Sequence, residues 1–122
     1  MLAADASADL ISGGIKALVG RDRPTVRYPQ PHALVGVPGG HSFPSGHAAI
    51  GFACAGVLSW LVPRWWPAFF LLAVAIAWSR VYVGVHYPLD VLGGAVLGLL
   101  IATALRWLVA SRLRSRRATR AG

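Results

Sequence analysis

Between residues 91 and 105 the chain reads V-L-G-G-A-V-L-G-L-L-I-A-T-A-L, without a single charge. A helix that crosses the hydrocarbon of a bilayer needs about 20 mainly apolar residues. This run reaches that length if it extends to Ala110 and Arg106 snorkels toward the headgroups. Residues 46–62 carry no charge apart from whatever His47 holds, and residues 67–79, P-A-F-F-L-L-A-V-A-I-A-W-S, continue through V-Y-V-G-V after the single Arg80. Of the 122 residues 56% are hydrophobic and 13% charged, against roughly 25% charged in an average soluble protein. The expected class is therefore all-α, a membrane helical bundle of about four helices: three strong spans and a short N-terminal helix over 10–19. Two glycines and a lysine keep that first helix from being a span by itself.

A chain of this length holds one domain. The opening M-L-A-A-D-A-S-A-D has acids where a secretory signal needs a basic start. Cys54 is the only cysteine and forms no intrachain disulfide. Net charge is +8, and Arg112, Arg114, Arg116, Arg117 and Arg120 crowd the end of the chain. Directly after a span, such a group is topogenic or attracted to anionic lipid. Nucleic acid is set aside as a partner because no aromatic residue is interleaved with these arginines. The expected division is a membrane core over residues 1–110 and a basic cytoplasmic tail over 111–122.

The turns fix how the helices alternate. Helix one ends near Gly20, a Pro- and Gly-rich loop follows, and helix two starts near Ser45 and stops before Pro63. The short P-R-W-W-P connection makes helices two and three antiparallel neighbours, with Trp65 and Trp66 at interfacial level. Helix three ends around Arg80, and Pro88 sits in the first turn of helix four. Alternating directions bring Lys16, Arg21, Arg23, P-S-G-H at 44–47, Arg80, His86 and Asp90 to one end. Ionisable groups gathered at the mouth of a bundle point to a functional site.

That end suits an anion. A helix start offers free N–H groups and a partial positive charge. Gly46 admits a ligand close to the backbone, and Ser45 can cap the helix or donate its hydroxyl. Lys16, Arg23 and Arg80 around such a start describe a phosphate pocket. His86 lies four residues before Asp90, so the carboxylate can turn back to hold one imidazole nitrogen and leave the other aimed outward. A histidine so held can attack phosphorus, and His47 can protonate the leaving oxygen and then activate water.

K-A-L-V-G-R-D-R-P at 16–24, P-S-G-H at 44–47 and S-R-V-Y-V-G-V-H-Y-P-L-D at 79–90 resemble the three-part signature of the type 2 phosphatidic acid phosphatase superfamily, in order and in spacing. The resemblance implies Lys16, Arg23, Ser45, Gly46 and Arg80 as phosphate ligands, His86 as nucleophile, Asp90 as its partner and His47 as general acid. It implies no metal and no cofactor. It also implies a multi-pass cell-membrane enzyme acting on a lipid phosphate or prenyl pyrophosphate, with the site on the extracytoplasmic face. Membrane members carry further helices ahead of the lysine motif. The chain is therefore expected to be a fragment, a truncated form, or a short form completed by self-association.

Two other functions follow from the same residues: a non-catalytic membrane fragment binding anionic lipid or a partner subunit, and a vanadate-dependent haloperoxidase. His32 and His41 match no motif position and are expected to be solvated or to line the pocket. Arg21 and Arg27 extend the anion funnel or are simply solvated, and Tyr82 and Tyr87 line a lipid entrance or mark the interface. Gly93, Gly94 and Gly98 are expected to serve helix packing.

Overall fold

The computed structural model describes residues 2–28, 34, 36 and 39–121, the side chains of 117–121 excepted. Helix α1 spans Leu2–Val19, α2 is a single turn at Pro24–Arg27, and α3 spans Gly46–Leu61. A 3-10 turn at Pro63–Trp65 leads into α4, Trp66–Tyr82, and α5 runs Pro88–Ala121. Among the described residues there is no strand, so the all-α expectation holds.

Local chemistry explains the boundaries. Pro63 lacks an N–H and disfavours helical geometry in the residue before it, so α3 stops there. Proline occupies the first turn of α4 and opens α5, where its missing N–H costs nothing. Helix α1 begins eight residues earlier than the glycines suggested. Its first half, L-A-A-D-A-S-A-D, is rich in alanine and carries Asp5 in the first turn, where a negative charge favours the helix. Ala4 and Ala8 are buried in the core. At the other end, α5 continues through the arginine-rich residues rather than stopping near Ala110.

Among the described residues two stretches are long and apolar enough to cross a bilayer, Pro63–Tyr82 with 20 residues and Pro88–Arg116 with 29. The third expected span, α3, has only 16 residues and covers about 24 Å of the about 30 Å of hydrocarbon. It occupies the middle of the bundle, packed against α1, α4 and α5.

The interior is built from small side chains. Ala4, Ala8, Ala49, Ala53 and Ile101 form the buried cluster, flanked by Ile50, Val57, Leu97 and Leu105. Leu71, Leu72, Trp78, Leu92, Val96, Leu100 and Trp107 face outward. Large apolar groups outside and small ones inside suit a lipid solvent, where close backbone approach rather than expulsion from water holds helices together. Helices α3 and α5 show this most strongly. A Cβ on Gly98 would meet the Ala49 carbonyl and lie 2.8 Å from the Ala53 nitrogen. One on Gly94 would strike the Ser45 carbonyl and the Ala48 Cβ. These glycines therefore serve packing, and they seat the start of α5 against the start of α3.

This predicts opposite outcomes for two glycines. Gly98→Ala forces the helices apart and lowers the thermal midpoint in detergent, at a cost of about 1–3 kcal/mol. Gly13→Ala, in a helix with nothing within 4 Å of the added methyl, leaves the midpoint unchanged or raises it through helix propensity. Circular dichroism melts of the two variants check both.

Candidate active site

Gly20 ends α1 with φ 62, its N–H bonding the Lys16 carbonyl at 3.1 Å. This is the left-handed cap that glycine adopts without strain. The chain then turns inward and delivers Arg23, which is only 3% exposed. Its Nε donates to the Gly40 carbonyl at 3.1 Å and Nη1 to the Val85 carbonyl at 3.1 Å. Nη1 also lies 3.3 Å from His86 Nε2. One guanidinium thus joins the glycine loop after α2 to the segment between α4 and α5.

That segment is held from α4. Gly84 turns it with φ 79, and the Val85 and His86 N–H groups both donate to the Arg80 carbonyl at 3.3 Å. His86 is 5% exposed and Asp90 fully buried. In the first turn of α5 the Asp90 carboxylate accepts the Tyr87 N–H on Oδ2 at 2.8 Å and Arg21 Nη1 on Oδ1 at 3.0 Å. Oδ2 stands 3.6 Å from His86 Nδ1, too far for a hydrogen bond. Nδ1 has no hydrogen-bond partner among the described residues.

The carboxylate therefore faces the imidazole as expected but does not clamp it, because its bonds go to Arg21 and the Tyr87 N–H. The second ring nitrogen is not aimed outward either. Nε2 accepts from Arg23 when the ring proton is on Nδ1, the tautomer that Asp90 favours.

Ser45 precedes α3, fully buried, and its N–H donates to the Asp90 carbonyl at 2.8 Å. Its hydroxyl makes no cap bond and has no hydrogen-bond partner among the described residues. An unused buried hydroxyl costs free energy unless a ligand engages it. A Cβ on Gly46 would lie 3.6 Å from both Lys16 Nζ and Ser12 Oγ, so the lysine amine rests over the start of α3. His47 is exposed one residue further on, within electrostatic reach of Arg80, Lys16 and Arg23. The Arg80 side chain donates from Nε to Ser79 Oγ at 3.2 Å.

All eight residues named from the sequence thus lie at one end of the bundle. Lys16, Arg23, Ser45, Gly46, His86 and Asp90 are linked by short contacts, and Arg80 and His47 are linked to them through the Arg80 carbonyl and the shared field. Arg21 is among the residues whose role the sequence left open. It pairs with Asp90, stacks 4.4 Å from the centre of the Tyr87 ring, and lines a polar cavity of about 400 Å³ with Arg27 and Tyr28. One signal pointed to it: a buried aspartate needs a cation or N–H partner, and Arg21 lies two residues from Arg23. Tyr82 is exposed. His41 is half-buried beside Gly20, and His32 lies outside the described residues. Among the described residues no three His, Cys, Asp or Glu side chains gather as a metal-ligating group.

Burial pushes the His86 imidazole down to about 4, with Arg23 adding to the shift and the Asp90 carboxylate opposing it. The folded value lies below the ordinary 6.5, so the fold favours the neutral ring. The stability that neutral His86 contributes is fully present above about pH 6.5 and is lost as pH falls toward about 4. Wild type should lose more thermal midpoint between pH 7 and 4 than His86→Gln, which has no ring to protonate. Melts across that range check it.

Fold and site together define a helical membrane bundle with cations and two histidines gathered at one end. The PAP2 superfamily model matches residues 1–114, and the chain belongs to that superfamily. It is 47% identical over 66 residues to the undecaprenyl-diphosphatase of Sulfolobus acidocaldarius, covering 53% of this chain and 32% of that one. It is 35% identical over 103 residues to the decaprenylphosphoryl-5-phosphoribose phosphatase of Mycobacterium tuberculosis, covering 84% and 56%. A solved structure of a transmembrane PAP2 type phosphatidylglycerolphosphate phosphatase from Bacillus subtilis superposes with TM-score 0.77 at 28% identity, covering 90% of this chain and 57% of that one. The chain thus spans about a third to just over half of the length of these relatives. With its apolar helices and these relatives, it is a membrane protein.

Proposed function

We propose that this protein is a multi-pass membrane phosphatase that hydrolyses a lipid-linked phosphate monoester or pyrophosphate through a phosphohistidine intermediate. The observation that carries this reading is the meeting of His86 Nε2 with Arg23 Nη1 at 3.3 Å at the same end as the Ser45 hydroxyl, unpartnered among the described residues, and Lys16 over the start of α3. Cations, a free hydroxyl and a helix start around an imidazole fit a phosphoryl group.

The chemistry follows from the placement. A phosphoryl group entering at this end takes the Arg23 N–H from Nε2, leaving that lone pair free to attack phosphorus. A P–N bond forms as the bond from phosphorus to the leaving oxygen breaks, the lipid oxygen of a monoester or the bridging oxygen of a pyrophosphate, and His47 gives that oxygen its proton. His47 then takes a proton from water, whose oxygen replaces the imidazole on phosphorus and releases inorganic phosphate. Lys16, Arg23 and Arg80 spread the charge of the equatorial oxygens in both steps, with Ser45 and the Gly46 N–H donating alongside. No metal or cofactor enters. The depressed His86 pKa keeps the nucleophile neutral at physiological pH.

The test is phosphate release from undecaprenyl pyrophosphate, phosphatidate and phosphatidylglycerol phosphate by the detergent-purified chain. Turnover of at least one, reduced roughly 10³-fold or more in His86→Ala, is the expected result, with an acid-labile phosphoenzyme trapped in the wild type. Equal rates in wild type and His86→Ala would remove the mechanism.

The same reading assigns residues 1–110 to the catalytic core and 111–122 to a basic tail at the cytoplasmic surface, which puts the site on the extracytoplasmic face. In a Cys54→Ala background, Arg116→Cys should react with an impermeant maleimide only after cells are permeabilised. Reaction in intact cells would reverse the orientation.

A further inference from the structure

We propose that Arg21 is a positioning residue that acts on the nucleophile through Asp90, an inference that rests on the phosphohistidine reading above. Asp90 is a fully buried carboxylate between two arginines that divide the work. The Arg23 fork is committed to the Val85, Gly39 and Gly40 carbonyls and to His86. Arg21 is the one that bonds the carboxylate, at 3.0 Å on Oδ1.

The arrangement closes on itself. Arg21 lies over the Tyr87 ring, and the N–H of that same tyrosine holds Oδ2 at 2.8 Å. Two bonds and a ring contact thus fix both oxygens, and Oδ2 is held 3.6 Å from His86 Nδ1. At that separation the carboxylate orients the imidazole by its charge without forming a hydrogen bond to it. Nε2 stays aimed at Arg23, where the phosphoryl group would arrive.

Removing Arg21 leaves Oδ1 buried without its cation, a costly state. The carboxylate regains a partner by turning toward Nδ1, and the ring turns with it. Arg21 therefore holds Asp90 back from His86 as much as it holds it in place. The side chain is 36% exposed and binds the far side of Asp90, so the effect falls on the chemical step rather than on binding of the phosphoryl group.

Arg21→Gln, Arg21→Lys, Asp90→Asn and the Arg21→Gln/Asp90→Asn double variant, assayed on undecaprenyl pyrophosphate in detergent micelles, test this. The expected result is kcat lowered about tenfold or more in Arg21→Gln with KM within about twofold. Arg21→Lys should recover most of the loss, and the double variant should be no slower than Asp90→Asn alone. A substrate-free readout is the protonation midpoint of His86 in ¹⁵N-histidine spectra, assigned with His86→Ala. The charges facing this ring are Arg23 and Lys16, which oppose protonation, and Asp90, which favours it. Arg21→Gln should raise the midpoint as Asp90 swings toward the ring.

An unchanged kcat together with an unchanged His86 midpoint would overturn the proposal. So would a raised KM with kcat intact, which would make Arg21 a phosphate ligand. If His86→Ala turned over as fast as wild type, the phosphohistidine reading would fail, while the midpoint in Arg21→Gln would still decide whether Arg21 acts on His86 through Asp90.

Discussion

Helices α3 and α5 approach until the Gly94 and Gly98 backbone touches Ser45, Ala49 and Ala53. Few side chains are compatible with that distance, and its consequences reach the polar end of the bundle. At this separation the Ser45 N–H bonds the Asp90 carbonyl at 2.8 Å, so the residue that starts α3 and the aspartate in the first turn of α5 share one hydrogen bond. The proposed anion cradle and the proposed partner of the nucleophile are thus set relative to each other by backbone contact. A methyl group inserted between the helices would shift Ser45 and Asp90 against each other.

Charge is the second constraint. Arg23 is buried and Lys16 half-buried, and both oppose protonation of His86 nearby. Burial also works against the charge of Arg23, an effect that the Asp90 carboxylate partly offsets. Like charges drawn together out of water raise the free energy of the fold unless anions accompany them. Asp90 supplies one negative charge, and Arg21 already shares it. This surplus of positive charge suits the phosphoryl group proposed above. Pre-placement of this kind is what phosphoryl transfer draws on.

Much of this was legible in the residues. Apolar runs announced the helices, prolines their starts and stops, and the three polar motifs their common end. Arg23 was named because a phosphate pocket needs guanidinium donors. Arg21 was left undecided because its partner is 69 positions away, and nothing local distinguishes a cation that faces solvent from one that reaches a buried carboxylate. The first half of α1 was missed for a related reason. Its alanines have little hydrophobicity to signal burial, yet they suit a bundle whose interior admits only small groups.

By itself the sequence determined the membrane class, the helical content, the turn positions and the identity of the polar residues at one end, because each depends on length, hydropathy or a proline acting over a few neighbours. Tertiary structure alone decided that Asp90 binds Arg21 and the Tyr87 N–H instead of His86 Nδ1, that His86 Nε2 meets Arg23, and that the Ser45 hydroxyl is buried with no partner among the described residues. Each of those outcomes is a competition among donors and acceptors from separate helices. Such a competition is settled by tenths of an ångström in helix separation, which no single segment specifies.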